Sequence, residues 1–130
     1  MTRAAPTPAD VPMVLAVASG GAIGATCRYL VMLARPESGP ATTLAVNVLG
    51  CFLMGVLVAC TPPGSARLRR GFLGTGVLGG FTTVSAYAVT THGLLTGDVL
   101  LGVLYLLATP ALAVVAVASG VLLTRRWRTS

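Results

Sequence analysis

Four long apolar stretches constrain this chain more than any other feature of its sequence. They cover residues at about 11–34, 42–60, 71–95 and 99–124 of 130. A helix needs about 20 apolar residues to cross a bilayer, so each stretch is long enough to span one. Only 9% of the residues are charged, whereas a soluble domain usually carries about 25%. The sequence predicts an all-α membrane protein: one four-span domain at 11–128 after a short disordered N-terminus at 1–10.

The positive charges predict the orientation of the four spans. The net charge of +6 comes from arginine alone, because the chain has no lysine. With four spans, one side of the membrane carries Arg3, Arg67, Arg69, Arg70, Arg125, Arg126 and Arg128. The other side carries only Arg35. The positive-inside rule therefore places both termini in the cytoplasm of a plasma-membrane protein, and arginines that flank apolar runs argue against nucleic-acid binding.

The third apolar stretch is rich in glycine, which weakens a helix. Its glycines are followed at once by the hydroxyl residues Thr82 and Thr83. One interpretation is close helix packing, in which small residues let two backbones approach. The other is a helix that breaks near 79–83, with carbonyls freed to line a buried ion site. The run of glycine and hydroxyl residues favours the break.

The chain offers no set of side chains for catalysis. Its acids are Asp10, Glu37 and Asp98, all near predicted span ends, and its one histidine is His92. Catalysis needs convergent groups, and none converge in this sequence. The G-x-G-x-x-G pattern at 74–79 lies inside an apolar span, whereas a dinucleotide site needs a strand before it. The sequence therefore predicts that the protein is not an enzyme.

The polar side chains inside the predicted spans are hydrogen-bond donors, and none of them is a carboxylic acid. Arg28 is the one charge within a span, and it either has a structural or pore role or reaches outward to an interface. Asn47 lies in an apolar run, where its amide must find a partner. The amide either forms an interhelical hydrogen bond or donates an N–H to a desolvated anion. Neutral donors with one cation suit a small anion.

Three stretches, at 20–29, 43–52 and 71–85, resemble the three span motifs of the CrcB/Fluc fluoride channels. The first is glycine-rich and closes on Arg28-Tyr29, the second follows the pattern T-L-x-V-N-x-x-G-x-F, and the third is the glycine-rich run that ends at Ser85. The resemblance covers most of the chain, in the same order and spacing.

The resemblance implies an antiparallel dimer in the lipid membrane, with two pores at the subunit interface through which fluoride leaves the cytoplasm passively. It implies a central structural sodium ion held by the backbone carbonyls of Gly79 and Thr82. It makes Asn47 the pore amide and Arg28 a vestibule residue. The remaining polar positions that it assigns to the pore are Thr43, Ser85, Tyr105 and Thr109.

The phenylalanine pair of that pattern is absent at two positions that the resemblance also assigns to the pore, Val84 and Tyr87. The family places two phenylalanines, three residues apart, where this chain has Val84 and Tyr87. The arginine count also fixes one orientation, which conflicts with an antiparallel homodimer. We therefore expect a second four-span chain of opposite charge bias that supplies the phenylalanines. Two alternatives stay open: a proton-coupled exporter, which the missing intramembrane carboxylate disfavours, and a non-conducting partner subunit.

Overall fold

A computed structural model describes residues 10–35, 39–61 and 67–129. Its elements, in chain order, are α1 Val11–Ala34, α2 Gly39–Cys60, α3 Arg67–Arg70, a π-helical segment Gly71–Leu78, α4 Gly79–Phe81, α5 Val84–Gly97 and α6 Val99–Thr129. The first, second and fourth spans are single helices, and the third runs from α3 to α5. The prediction of an all-α chain with four spanning helices is confirmed. The segment predicted to be disordered lies, up to residue 9, outside the described residues.

The helix ends that carry arginine meet at one end of the bundle. Arg128 of α6 donates a hydrogen bond to the Ala59 carbonyl near the end of α2, at 3.0 Å. Met13 in the first turn of α1 lies against Gly71 at the start of the π-helical segment. The arginines gathered at this end are Arg67, Arg69, Arg70, Arg125, Arg126 and Arg128, while Arg35 ends the span that starts there.

The first half of the third span packs on α1 backbone to backbone. A Cβ atom added to Gly24 would collide with the Val77 carbonyl, and one added to Gly80 would collide with the Gly21 carbonyl. Side chains larger than hydrogen at these positions would push the helices apart. The close-packing interpretation of the glycines is therefore correct for this half of the span.

The break interpretation is correct as well. The helix of the third span ends at Phe81, and Thr82 and Thr83 are extended, with ψ angles of 158° and 118°. The helix resumes at Val84 without any proline in the segment. On the N-terminal side of the break, the segment Gly71–Leu78 is π-helical. This geometry is rare in proteins as a whole, and where it occurs it is frequently at a functional site.

The fourth span is the helix on which the second half of the third span and α2 pack. A Cβ atom at Gly55 of α2 would collide with the Val117 carbonyl of α6, and one at Gly120 of α6 would collide with the Phe52 carbonyl of α2. The fourth span also contains Pro110 in its interior. The break in the third span and this proline lie on two sides of one cavity.

Candidate functional site: a cavity at the helix break

A cavity of about 250 Å³ lies between the second span, the break and the fourth span. Its lining consists of Asn47, Cys51, Thr82, Thr83, Val84, Tyr87, Thr109, Pro110 and Ala113. Five of these are residues that sequence analysis assigned to the pore or the ion site: Asn47, Thr82, Val84, Tyr87 and Thr109. The fold thus brings together positions that are up to 62 residues apart in sequence (47 to 109).

The Asn47 side chain holds the break through both of its polar atoms. Its Oδ1 accepts from the Thr83 backbone N–H at 2.8 Å, and its Nδ2 donates to the Thr83 carbonyl at 3.0 Å. The amide thus replaces the helical partners that an extended residue cannot have. An amide nitrogen carries two hydrogens, so the group that lines the cavity has a second N–H to donate.

The break leaves two carbonyls without the helical donors that they would otherwise have. An unbroken helix would pair the Gly79 carbonyl with the N–H of Thr83, and the Thr82 carbonyl with the N–H of Ala86. The Thr83 N–H donates to Asn47 instead, and the Ala86 N–H donates to the Thr83 hydroxyl at 3.1 Å. These are the two carbonyls that the resemblance assigns to a sodium ion. Backbone carbonyl oxygens at a helix break are typical ligands of Na⁺, so the residues present fit that ion.

Arg28 also reaches the broken segment. Its Nε donates to the Gly80 carbonyl at 3.2 Å, and the side chain is half-buried. Of the two interpretations that the sequence left open for Arg28, this contact favours a structural role at the break over an outward reach to the interface. The guanidinium adds a positive charge beside the carbonyls of the interrupted helix.

The Thr109 side chain is a buried donor in the cavity wall. It is 4% exposed, and within the described residues its hydroxyl has no hydrogen-bond partner. A buried polar group left unpaired costs about 1–3 kcal/mol. A hydroxyl in this position can hydrogen-bond an occupant of the cavity, either as a donor or as an acceptor.

Tyr87 forms part of the cavity wall with its ring and bonds elsewhere with its hydroxyl. The hydroxyl donates to the Leu106 carbonyl of the fourth span at 2.7 Å. The ring stacks on Tyr105, with the ring centroids 5.8 Å apart. Val84, one turn before it, also lines the cavity but is 80% exposed. The cavity therefore opens to the outer surface of this chain.

The other predicted site residues lie beside the cavity rather than in its lining. Thr43 is buried one turn before Asn47, and Tyr105 donates to the Pro40 carbonyl at 3.2 Å. Ser85 pairs with the Thr83 hydroxyl at 3.2 Å. Thr43 and Tyr105 are buried polar side chains between the cavity and the end of the bundle opposite the arginines.

Two residues that organise the site were not predicted as site residues: Thr83, which the sequence placed only at the helix break, and Pro110. Thr83 caps the helix that resumes at Val84, and Asn47 holds its backbone. A threonine at the restart of a helix is a common cap, so the break itself could have indicated it. Pro110 lies within the predicted fourth span, and its importance depends on a neighbour from the third span.

Comparison with known proteins agrees with this geometry. The family model "CrcB-like protein, Camphor Resistance (CrcB)" matches residues 15–121. The chain belongs to the CrcB family. A relative from Streptomyces coelicolor, named fluoride-specific ion channel FluC 1, is 46% identical and aligns with 93% of this chain and 84% of its own length. One from Nocardia farcinica, FluC 2, is 40% identical over 94% and 91% of the two chains.

A third relative, the fluoride-specific ion channel FluC of Rhizobium meliloti, is 43% identical over 86% of this chain and 95% of its own. The resemblance read from the three span motifs is thus confirmed. CrcB relatives carry the names of ion channels, which agrees with the prediction that this chain is not an enzyme. The family and the four apolar helices make the chain a multi-pass membrane protein.

Proposed function

We propose that this chain is a subunit of a fluoride-selective channel that lets fluoride leave the cytoplasm passively. The single observation that carries the proposal is the cavity at the helix break, whose lining includes the side-chain donors of Asn47 and Thr109 and no carboxylate. Relatives that align with nearly the whole chain are named fluoride-specific ion channels. A cavity of this kind at membrane depth suits an anion and disfavours a proton-coupled cation exporter.

The donors act by replacing the water that surrounds a small anion. The second N–H of Asn47 and the O–H of Thr109 both belong to the cavity wall. Asn47 is held in place by two hydrogen bonds to Thr83, so ordering its remaining N–H on binding costs less entropy than ordering a free side chain would. Pore selectivity rests on such fixed groups that take the place of the hydration shell.

A structural sodium ion belongs to the proposal. The carbonyls of Gly79 and Thr82 would hold it, with the same pair from a second chain. The diverted N–H groups of Thr83 and Ala86 support this assignment. Sodium would supply the positive charge that ties two broken helices together. Replacing sodium with a large organic cation should lower the unfolding temperature of the assembled protein.

A second chain belongs to the proposal too, because the cavity is open on one side. Val84 is 80% exposed at the edge of the cavity. The extended residues Thr82 and Thr83 lie in the lining on this open side. Non-helical backbone at membrane depth is tolerated only where protein or a water-filled cavity covers it, which favours a second protein surface here. The arginine bias gives this chain one orientation, with both termini in the cytoplasm. We therefore propose an antiparallel pair with an unlike four-span chain of opposite bias, which supplies phenylalanines to the shared pores.

The test is fluoride efflux from liposomes, measured with a fluoride electrode. We expect rapid efflux, insensitive to a pH gradient, from liposomes that hold the complete dimer, with chloride as the control anion. Efflux driven by a pH gradient would instead identify a proton-coupled exporter. Equal efflux from the partner alone would identify this chain as a non-conducting subunit.

The unlike pairing has a separate test in fluoride-sensitive cells. We expect this gene alone to give little fluoride resistance, and the gene with its partner to give full resistance. Full resistance from the single gene would contradict the unlike pair and leave the channel proposal standing.

A further inference from the structure

The fourth span has one carbonyl that its own helix cannot satisfy. In an α-helix the Leu106 carbonyl would accept from the backbone N–H of residue 110. Residue 110 is a proline and has no N–H. In a membrane, a backbone group freed in this way must find a partner within the protein.

The partner of this carbonyl is the hydroxyl of Tyr87. The Tyr87 Oη donates to the Leu106 oxygen at 2.7 Å, a normal distance for an O–H···O bond. Tyr87 and Pro110 also line the same cavity. The hydroxyl is therefore bound to the fourth span, at a residue outside the cavity lining, while the Tyr87 ring stacks on Tyr105.

We propose that Pro110 is the positioning residue for Tyr87. Its missing N–H keeps the Leu106 carbonyl available, and that carbonyl anchors the Tyr87 hydroxyl so that the cavity meets the ring and not the hydroxyl. The inference deepens the proposed function, on which its transport readout rests. Pro110 acts through Tyr87 and need not touch the ion.

The hydrogen bond can be tested without any transport. The chain has three tyrosines, so a sample labelled with ¹³C at the tyrosine Cζ gives three resonances, which Tyr→Phe variants assign. The Cζ shift reports the hydrogen bonding of the hydroxyl. We expect Pro110→Ala to move the Tyr87 resonance and to leave that of Tyr29 in place. An unmoved Tyr87 resonance would overturn the proposal.

The transport test is a double-mutant cycle in liposomes that hold the complete dimer. Pro110→Ala should change the ratio of fluoride to chloride efflux by roughly threefold, the factor that one interhelical hydrogen bond of average strength is worth in a membrane protein. The same change made in a Tyr87→Phe background should alter the ratio by much less, because the hydroxyl is already gone. Equal changes in both backgrounds would show that Pro110 acts through the shape of the helix alone.

A backbone ester separates the missing N–H from the proline ring. The α-hydroxy acid analogue of alanine at position 110 removes the N–H without adding a ring. We expect this variant to keep the Tyr87 resonance of the natural protein. A resonance like that of Pro110→Ala would overturn the proposal. Absence of fluoride efflux in every sample would count against the channel function, while the Cζ result would still decide the role of Pro110.

Discussion

Two spans of this protein interrupt their helical hydrogen bonding inside the membrane, and they do so to different degrees. The third span breaks completely, with two extended residues and no proline. The fourth span stays one helix and loses a single bond at Pro110. In both, a side chain from another span takes over the freed backbone: Asn47 at Thr83, and Tyr87 at Leu106.

The difference lies in how many groups hold each interruption. The break is held from two sides, by Asn47 of the second span at Thr83 and by Arg28 of the first span at Gly80. The interruption in the fourth span is held by one hydroxyl. A complete break without proline therefore depends on its neighbours, whereas a proline maintains its own interruption. Substitution of the groups that hold the break should cost more than substitution of the one group at the proline.

The largest effect is expected for Asn47→Ala, measured as fluoride efflux from liposomes that hold the proposed dimer. The variant removes the amide that lines the cavity and leaves both backbone groups of Thr83 unpaired, at about 1–3 kcal/mol for each group. We expect efflux to be abolished and the unfolding temperature to fall. Asn47→Asp should abolish efflux as well, because a carboxylate repels an anion.

The control for Asn47 is Cys27→Ser, on the exposed side of the first span. It should leave the efflux rate and the unfolding temperature unchanged. Unchanged efflux in Asn47→Ala would count against the pore assignment and would remove the distinction between the two interruptions.

The next effect is expected where the broken span rests on the first. In Gly24→Ala the new methyl group collides with the Val77 carbonyl, and overpacking of this kind costs about 1–3 kcal/mol. The matched control is Gly21→Ala, whose methyl group has no atom within 4 Å. Both changes gain the same helix propensity. The measurement is the free energy of unfolding from a chemical unfolding titration. Equal values for the two variants would show that this contact does not support the break.

A smaller effect is expected at the cap that follows the break. Thr83→Ala removes the hydroxyl that accepts from the Ala86 N–H, and the loss of such a cap typically costs about 1 kcal/mol. Thr83→Ser keeps the hydroxyl and should restore the unfolding free energy. A serine variant as unstable as the alanine variant would assign the loss to packing of the Thr83 methyl group.

The smallest effect is expected for Tyr87→Phe, measured as the free energy of unfolding in detergent. It removes one hydrogen bond between spans, worth about 0.6 kcal/mol on average in a membrane protein. A loss as large as that of Asn47→Ala would break the comparison, since it would make the single hydroxyl as important as the double contact at Thr83.

Much of this fold was predictable because it depends on local properties of the sequence. The four spans follow from hydropathy, and the break follows from glycines next to Thr82 and Thr83. Asn47 was predictable as a residue with a buried partner, because an amide in an apolar run must find one. These features need no knowledge of which helices are neighbours.

The pairings across spans could not be predicted in the same way. The contact from Asn47 to Thr83 joins residues 36 apart, and the contact from Tyr87 to Leu106 needs the relative rotation of two helices. The sequence showed that a tyrosine replaces the family phenylalanine at position 87. It did not show that the tyrosine hydroxyl would bond the Leu106 carbonyl, which Pro110 leaves without a backbone donor. Helix rotation is set by packing, which no single span encodes.

The contact between Asn47 and Thr83 has a consequence for how the chain enters the membrane. The second span leaves the ribosome before the third, so the amide that completes the break is already in the bilayer when Thr82 and Thr83 arrive. The exposed backbone of the break can therefore pass from the translocon directly to its partner. The order of the spans along the gene spares the third span a stage in which its extended residues would meet lipid.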